Sequence, residues 1–182
     1  MRVITGSAKG ARLRTLEGND VRPTAERVKE AVFSIIQFDI EGRRVLDLFG
    51  GCGQMGIEAL SRGAESAVFV DSSQESVKVI SDNLKTARLS DKASVIRKDF
   101  RLYLASCSDT FDIAFIDPPY HLNLYEDALS GVARLMSDCG IILCEHPLEV
   151  KLPETAGDFE KYKEYRYGKV YITSYRRKEQ SV

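Results

Sequence analysis

The chain has 182 residues, 43% apolar, 9% aromatic and 29% charged, the profile of an ordinary globular protein of about one domain. A chain of this size buries roughly 70% of its unfolded surface. It needs no disulfides, and collagen, coiled coil and wholesale disorder are excluded. No run approaches the ~20 apolar residues of a membrane span, and the opening MRVITGSAKGARLR lacks an apolar signal core. Four cysteines (Cys52, Cys107, Cys139 and Cys144) form no CxxC pair, and His121 and His146 complete no zinc spacing. These features lead us to expect a cytoplasmic, reduced, metal-free protein with no membrane partner, its cysteines serving as buried apolar residues. Net charge is −1, but residues 1–44 carry +3, residues 45–160 carry −9 and residues 161–182 carry +5. Basic ends around an acidic middle leave a polyanionic partner open.

The first elements are two short strands, Arg2–Thr5 and Ala11–Leu16, around a turn with Gly6 and Gly10. Every charge up to Arg14 is basic. After a loop ending in Arg22-Pro23-Thr24, Thr24 is the expected N-cap of a helix with Glu26 in its first turn. Val28, Ala31, Val32, Ile35 and Ile36 give that helix one apolar face. From residue 44 strands and helices alternate. Strands are expected at Arg44–Phe49, Ser66–Asp71, Ala93–Arg97, Phe111–Ile116 and Gly140–Glu145. A helix runs through Glu58–Arg62, a second is capped by Ser72 with Glu75, and a third spans Tyr125–Met136. Repeated β-α-β units with apolar strands imply a parallel sheet covered on both faces. Lys161–Arg177 alternates around Gly168 as a closing hairpin.

The sequence DLFGGCGQMG after the first strand contains Gly51, Gly53 and Gly56 in the G-x-G-x-x-G pattern. Such glycines permit a tight turn and close ligand approach, and Asp71 ends the next strand where an acid can bond ribose hydroxyls. A dinucleotide site and a purely structural turn both remain open on that pattern. Two details favour another adenosine-bearing ligand. Asp47 precedes the glycines, and a carboxylate there suits a cation better than a pyrophosphate. Asp99-Phe100 after the third strand offers an acid for an adenine amine and a ring to pack on it. S-adenosylmethionine, with its sulfonium, ammonium, ribose and adenine, matches three acids at three successive strand ends.

Asp117-Pro118-Pro119-Tyr120 follows the fourth strand directly. Two prolines stiffen the loop. An Asp oxygen and the Pro118 carbonyl can accept from one amine while Tyr120 stacks on its ring. A rigid turn with a core tyrosine is the alternative. The position, at the carboxyl end of a strand near the switch point, favours ligand binding.

DLFGGCG with DPPY resembles the amino-methyltransferases that use S-adenosylmethionine. The remainder resembles one family among them, the RsmD family of bacterial 16S rRNA guanine-N2 methyltransferases. VITGSAKGARL, RPTAERVKEAVFSII, RVLDLFGGCGQMGIEALSRGA, FDIAFIDPPY and RYGKVYITSYRR carry that likeness nearly end to end. Gly50-Gly51-Cys52-Gly53 stands where the family has Ala-Gly-Ser-Gly, and Glu26 and Lys29 stand where it has Asp and Arg.

The resemblance implies a Rossmann-like α/β methyltransferase domain over residues 44–182, preceded by a basic hairpin-and-helix extension over residues 1–43. It implies methylation of the N2 amine of guanine 966 of 16S rRNA, in a small-subunit ribosomal particle. Asp117, Pro118 and Tyr120 are the implied catalytic residues. Asp47, Phe49, Gly51, Gly53, Asp71, Ser72, Asp99, Phe100 and Thr24 are the implied cofactor contacts. Arg12, Arg14, Arg22 and Arg27 are the implied RNA contacts, with Lys29, Lys169, Arg176 and Arg177 as further phosphate ligands. A protein glutamine methyltransferase and a nicotinamide-dependent oxidoreductase are the alternative enzymes, and a non-enzymatic RNA-binding module is the alternative outside catalysis. The glutamine enzymes usually carry Asn before the prolines, and the oxidoreductase leaves DPPY and Asp47 unexplained.

Overall fold

The computed structural model describes residues 1–16, 23–119 and 124–178, and within residues 23–25 the backbone alone. The chain runs α1 (Pro23–Ile35), β1 (Arg44–Asp47), α2 (Gln54–Ser61), β2 (Ser66–Asp71), α3 (Gln74–Ala87) and β3 (Ala93–Arg97). It continues through α4 (Phe100–Ser106), β4 (Phe111–Ile116), α5 (Tyr125–Ala133), β5 (Met136–Pro147), β6 (Thr155–Ala156), β7 (Phe159–Tyr167) and β8 (Val170–Arg177). The strands form one sheet in the order β3-β2-β1-β4-β5-β8-β7-β6. From β3 through β5 neighbours are parallel. β8, β7 and β6 extend the sheet antiparallel. Strand order reverses between β1 and β4, the crevice where such sheets bind ligands.

Near-continuous apolar strands let both faces be covered. On one face Val32 and Phe33 of α1, Ile36 just past its end, Ile57 and Leu60 of α2 and Ile80 of α3 pack on Val45, Phe69, Phe115 and Leu143. On the other, Leu104 of α4 and Leu129 and Val132 of α5 cover Leu46, Ala114, Ile116 and Ile142. Among the described residues no helix is long and apolar enough to cross a membrane.

The N-terminal segment belongs to the first of these cores through Val3, Ala8 and Leu13. Its expected hairpin narrows to one antiparallel bridge, Arg2 with Arg12. Backbone bonds from Val3 N to the Ala11 carbonyl, Gly10 N to the Val3 carbonyl and Leu13 N to the Met1 carbonyl hold the pair together, and a buried charge network fastens it to α2. Glu58 of α2, fully buried, accepts from the backbone N–H groups of Ile4 at 2.8 Å and Thr5 at 3.0 Å and from Arg62 Nε at 2.9 Å. Lys29 Nζ lies 3.3 Å from Glu58 Oε2 and donates to the Arg2 carbonyl at 2.7 Å. Gly6 sits against α2 with φ +88°, and a Cβ there would lie 1.8 Å from the Ser61 carbonyl oxygen. Only glycine fits.

Lys29 is therefore a correction. Expected on phosphate, it is 1% exposed and sealed in an ion pair. It shares a face with Phe33 at i+4, so the helix turns it inward.

Other boundaries shift for local reasons. α1 begins at Pro23 and takes Thr24 into its first turn, because proline's fixed φ suits the first helical position. α3 is capped by Ser73, whose hydroxyl accepts from Ser76 N, while Asp71 Oδ1 holds Ser73 N at 2.8 Å. Ser72 is thus not the cap. α5 ends at Ala133 and β5 already begins at Met136. Of the cysteines only Cys144 is fully buried, and Cys139 is exposed.

Removing one partner from a buried ion pair costs about 3–5 kcal/mol. Glu58→Ala is expected to cost that much in urea unfolding, since it orphans Lys29 and two backbone donors. Lys29→Met is expected to cost less, because Glu58 keeps three donors. A Glu58→Ala penalty below about 1 kcal/mol would show that the network does not secure the N-terminal segment.

Candidate functional site

A cavity of about 730 Å³ opens over the carboxyl ends of β1, β2, β3 and β4. Of the residues singled out from the sequence, Phe49, Asp71, Ser72, Asp99, Phe100, Asp117 and Pro118 all line it. The fold gathers them because β1 and β2 end in Asp47 and Asp71, while Asp99 and Asp117 follow within two residues of the ends of β3 and β4. Asp71 Oδ2 accepts from Gly51 N at 2.9 Å, so its carboxylate tethers the glycine loop to the start of α3. Asp99 caps α4, its Oδ1 accepting from Arg101 N at 2.9 Å and from Leu102 N at 3.4 Å. Phe100 starts that helix and meets Phe49 with ring centroids 5.0 Å apart, which makes an aromatic wall beside two carboxylates.

Beneath the glycine loop Asp47 accepts from Gly56 N at 3.1 Å. Burial outweighs that bond, and with the Asp71 charge nearby it pushes the Asp47 carboxyl up to about 7. Gly53 supports the same turn with φ +79° at the N-cap of α2, a conformation L side chains avoid. The Asp117 side chain is exposed on the cavity wall. Desolvation raises its carboxyl well above the usual carboxylate range, and the Glu145 and Asp47 charges add to the rise.

A family profile described as conserved hypothetical protein 95 matches residues 1–176. The chain is 36% identical, over 71% of its length and 69% of the relative's, to ribosomal RNA small subunit methyltransferase D of Haemophilus influenzae. The chain belongs to the RsmD family. It is also 39% identical to the candidate rRNA methyltransferase YlbH of Bacillus subtilis, over 98% of this chain and all of that one. Among solved structures, the candidate methyltransferase yhhF from Escherichia coli shares the fold with a TM-score of 0.88 and 29% identity, covering 99% of each chain.

Within this RsmD-family fold three site expectations, Arg22, Tyr120 and the Thr24 side chain, lie outside the described residues. Arg12, Arg14 and Arg27 are exposed, as RNA contact requires. Arg14 is partly engaged, 3.4 Å from Asp82. Arg177 is committed to Asp138 and Asp158, and Arg176 reaches Asp39 at 3.4 Å. Their charges are largely answered within the protein.

Four lining residues were not singled out from the sequence: Leu48, Lys98, Arg101 and Leu124. Arg101 lies 4.6 Å over the Phe100 ring and pairs with Asp127 at 2.7 Å, so it braces the aromatic wall from the rim. The basic pair flanking Asp99-Phe100 was the available signal. His146, two residues beyond Cys144, is fully buried against Thr173 at 2.8 Å, and desolvation is the chief cause that lowers its pKa.

Asp47 holds its proton more tightly folded than unfolded between about pH 4 and pH 7. The native state therefore gains stability as pH falls through that window and loses it as pH rises. In urea unfolding the ligand-free protein is expected to lose stability from pH 5 to pH 8. Asp47→Asn should reduce that loss by a few kcal/mol. Equal slopes in the two proteins would contradict the burial argument for Asp47.

Proposed function

We propose that this chain transfers a methyl group from S-adenosylmethionine to the exocyclic N2 amine of a guanine in small-subunit ribosomal RNA. The observation that carries this reading is the placement of Asp117 and Pro118 on the wall of the cavity that also holds Phe49, Asp71, Asp99 and Phe100. The names of its curated relatives, methyltransferases of ribosomal RNA, supply the substrate class.

The residues fit the cofactor. Asp71 offers oxygens for ribose hydroxyls, the Phe49–Phe100 wall an apolar face for adenine, and Asp99 an acceptor at its edge. The Asp47 carboxyl is held up by burial and that of Asp117 by desolvation and the acids beside it, and a cationic ligand next to them draws both toward the ionised form. A nicotinamide dinucleotide would set its pyrophosphate against the same acids. When bound, the cofactor supplies an electrophilic methyl on sulfur whose departure leaves a neutral thioether.

The chain's part is mainly positioning, which can supply several kcal/mol. A guanine amine is a poor nucleophile because its lone pair is delocalised into the ring. Asp117 Oδ and the Pro118 carbonyl accept its two N–H groups, which favours the pyramidal nitrogen and aims its lone pair into the cavity. As the N–C bond forms, the nitrogen turns acidic and Asp117 takes its proton. A carboxyl held above the ordinary range is suited to that role. Tyr120 packs on the base. The two prolines keep the loop's shape without a supporting ladder.

Residues 1–43 act as a basic appendage around this core, with Arg12, Arg14, Arg22 and Arg27 toward phosphates. The target guanine is reached unstacked, most cheaply in a loop.

Asp117→Ala is expected to lower single-turnover methyl transfer to small-subunit particles by on the order of 10²–10³, with cofactor affinity nearly kept. Asp117→Asn should retain more, since its amide oxygen still accepts one bond. Transfer by Asp117→Ala at the wild-type rate would leave the loop a structural turn and overturn the mechanism.

A further inference from the structure

The closing hairpin of β7 and β8 reaches the same edge of the sheet as Asp117. β5 runs parallel to β4 and β8 returns antiparallel to it, so β8 begins where β5 ends. Cys144 stands level with Ile116, and Pro147, opposite Val170, lies three residues further on. At about 3.3 Å per residue the hairpin rises roughly 10 Å past the end of β4. β8 lies two strands from β4, roughly 10 Å across the sheet.

Side chains alternate between the two faces of a strand, and the alternation sorts this hairpin by chemistry. Tyr165 stands opposite Ile172 and Tyr167 opposite Val170. Ile172 shares the wall of a small apolar notch with Asp117, and Tyr167 and Val170 pack against the core beneath α1. Lys163, Tyr165 and Tyr167 therefore extend outward the face that carries this notch. Both tyrosines are half-buried, whereas Lys163 and Lys169 are exposed. Lys163 Nζ lies 5.0 Å over the Tyr165 ring. Glu164, the acid between them, turns to the opposite face and accepts from the Thr173 hydroxyl at 3.0 Å.

Charge sets the hairpin turn apart from the rest of the C-terminal segment. Lys161, Arg176 and Arg177 are paired with acids. Lys163, Arg166 and Lys169 form no ion pair among the described residues. Three unanswered cations beside two half-open rings complement a polyanion that carries flat bases.

Resting on the RNA-methylation reading above, we propose that the face of Lys163, Tyr165 and Tyr167, with Lys169 at the turn, is a platform for single-stranded RNA beside the target base. Bases stack on aromatic rings with little regard to sequence while cations follow the phosphates. A base arriving on Tyr165 displaces the Lys163 ammonium toward the adjacent phosphate. Unstacking the target base deprives its chain neighbours of a stacking partner, and the tyrosines supply one close to Asp117.

The test measures binding to small-subunit particles and to protein-free small-subunit rRNA, with cofactor titration as the check on folding. Tyr165→Leu and Tyr167→Leu keep apolar bulk but lose the ring. Each is expected to weaken affinity for both RNAs by about fivefold to a hundredfold, and to act on the KM of methyl transfer far more than on kcat. Tyr165→Phe and Tyr167→Phe should stay within about twofold of the wild type, because stacking uses the ring. Lys163→Gln with Lys169→Gln should flatten the slope of log affinity against log salt by about 1.4, since each single-strand phosphate contact contributes roughly 0.7. Unchanged affinity in the leucine variants, or an equal loss in the phenylalanine ones, overturns the platform and leaves the methylation reading standing. A loss confined to particles, with rRNA affinity kept, assigns the face to a ribosomal protein and overturns the platform as well. No methyl transfer to particles by the wild-type protein overturns the reading on which the platform rests.

Discussion

Carboxylates crowded at one edge of a parallel sheet are the constraint on which this structure turns. Asp47, Asp71 and Asp117 end neighbouring strands or begin their loops, and Glu145 stands beside the last of them. Repulsion and desolvation together push two of these carboxyls upward. A fold carries such a cost where function requires it. A ligand with positive charge and donor groups relieves it, which ties the affinity of the site to the same forces that strain it when empty.

The strain is met by rigid surroundings. Gly51 N and Ser73 N bind the two oxygens of Asp71, and Gly56 N binds Asp47. The glycine loop is thereby fixed by the acids it surrounds. A second buried charge cluster, Lys29 with Glu58, fastens the N-terminal segment to α2. Asn83 joins the two regions, accepting from Arg14 N at 2.8 Å and donating to the Arg14 carbonyl at 2.9 Å and the Cys52 carbonyl at 2.8 Å. The basic segment and the glycine loop are thus held in one frame.

Much of this was legible in the residues because the first four strands are short apolar runs with an acid at the end or within two residues of it. β2, β3 and β4 begin and end where their composition places them, and the residues after them converge on one cavity. What was hidden depends on three-dimensional context. α4 has seven residues, too few for a helical period to declare itself, so Asp99 read as a ligand group without its capping role. Lys29 read as a surface cation because charge normally faces water, whereas here an acid from a helix distant in sequence waits for it. Glu145 carries no local mark at all. Its place beside Asp117 comes from the β4–β5 register, which sequence alone does not reveal.

The central claim is that the carboxylate edge exists to methylate an amine on ribosomal RNA. Mass mapping of small-subunit rRNA nucleosides from cells with and without this protein tests it most directly. The account predicts one N2-methylguanosine that disappears without the protein and returns with the wild-type chain but not with Asp117→Ala. Identical maps in all of these cells would contradict it.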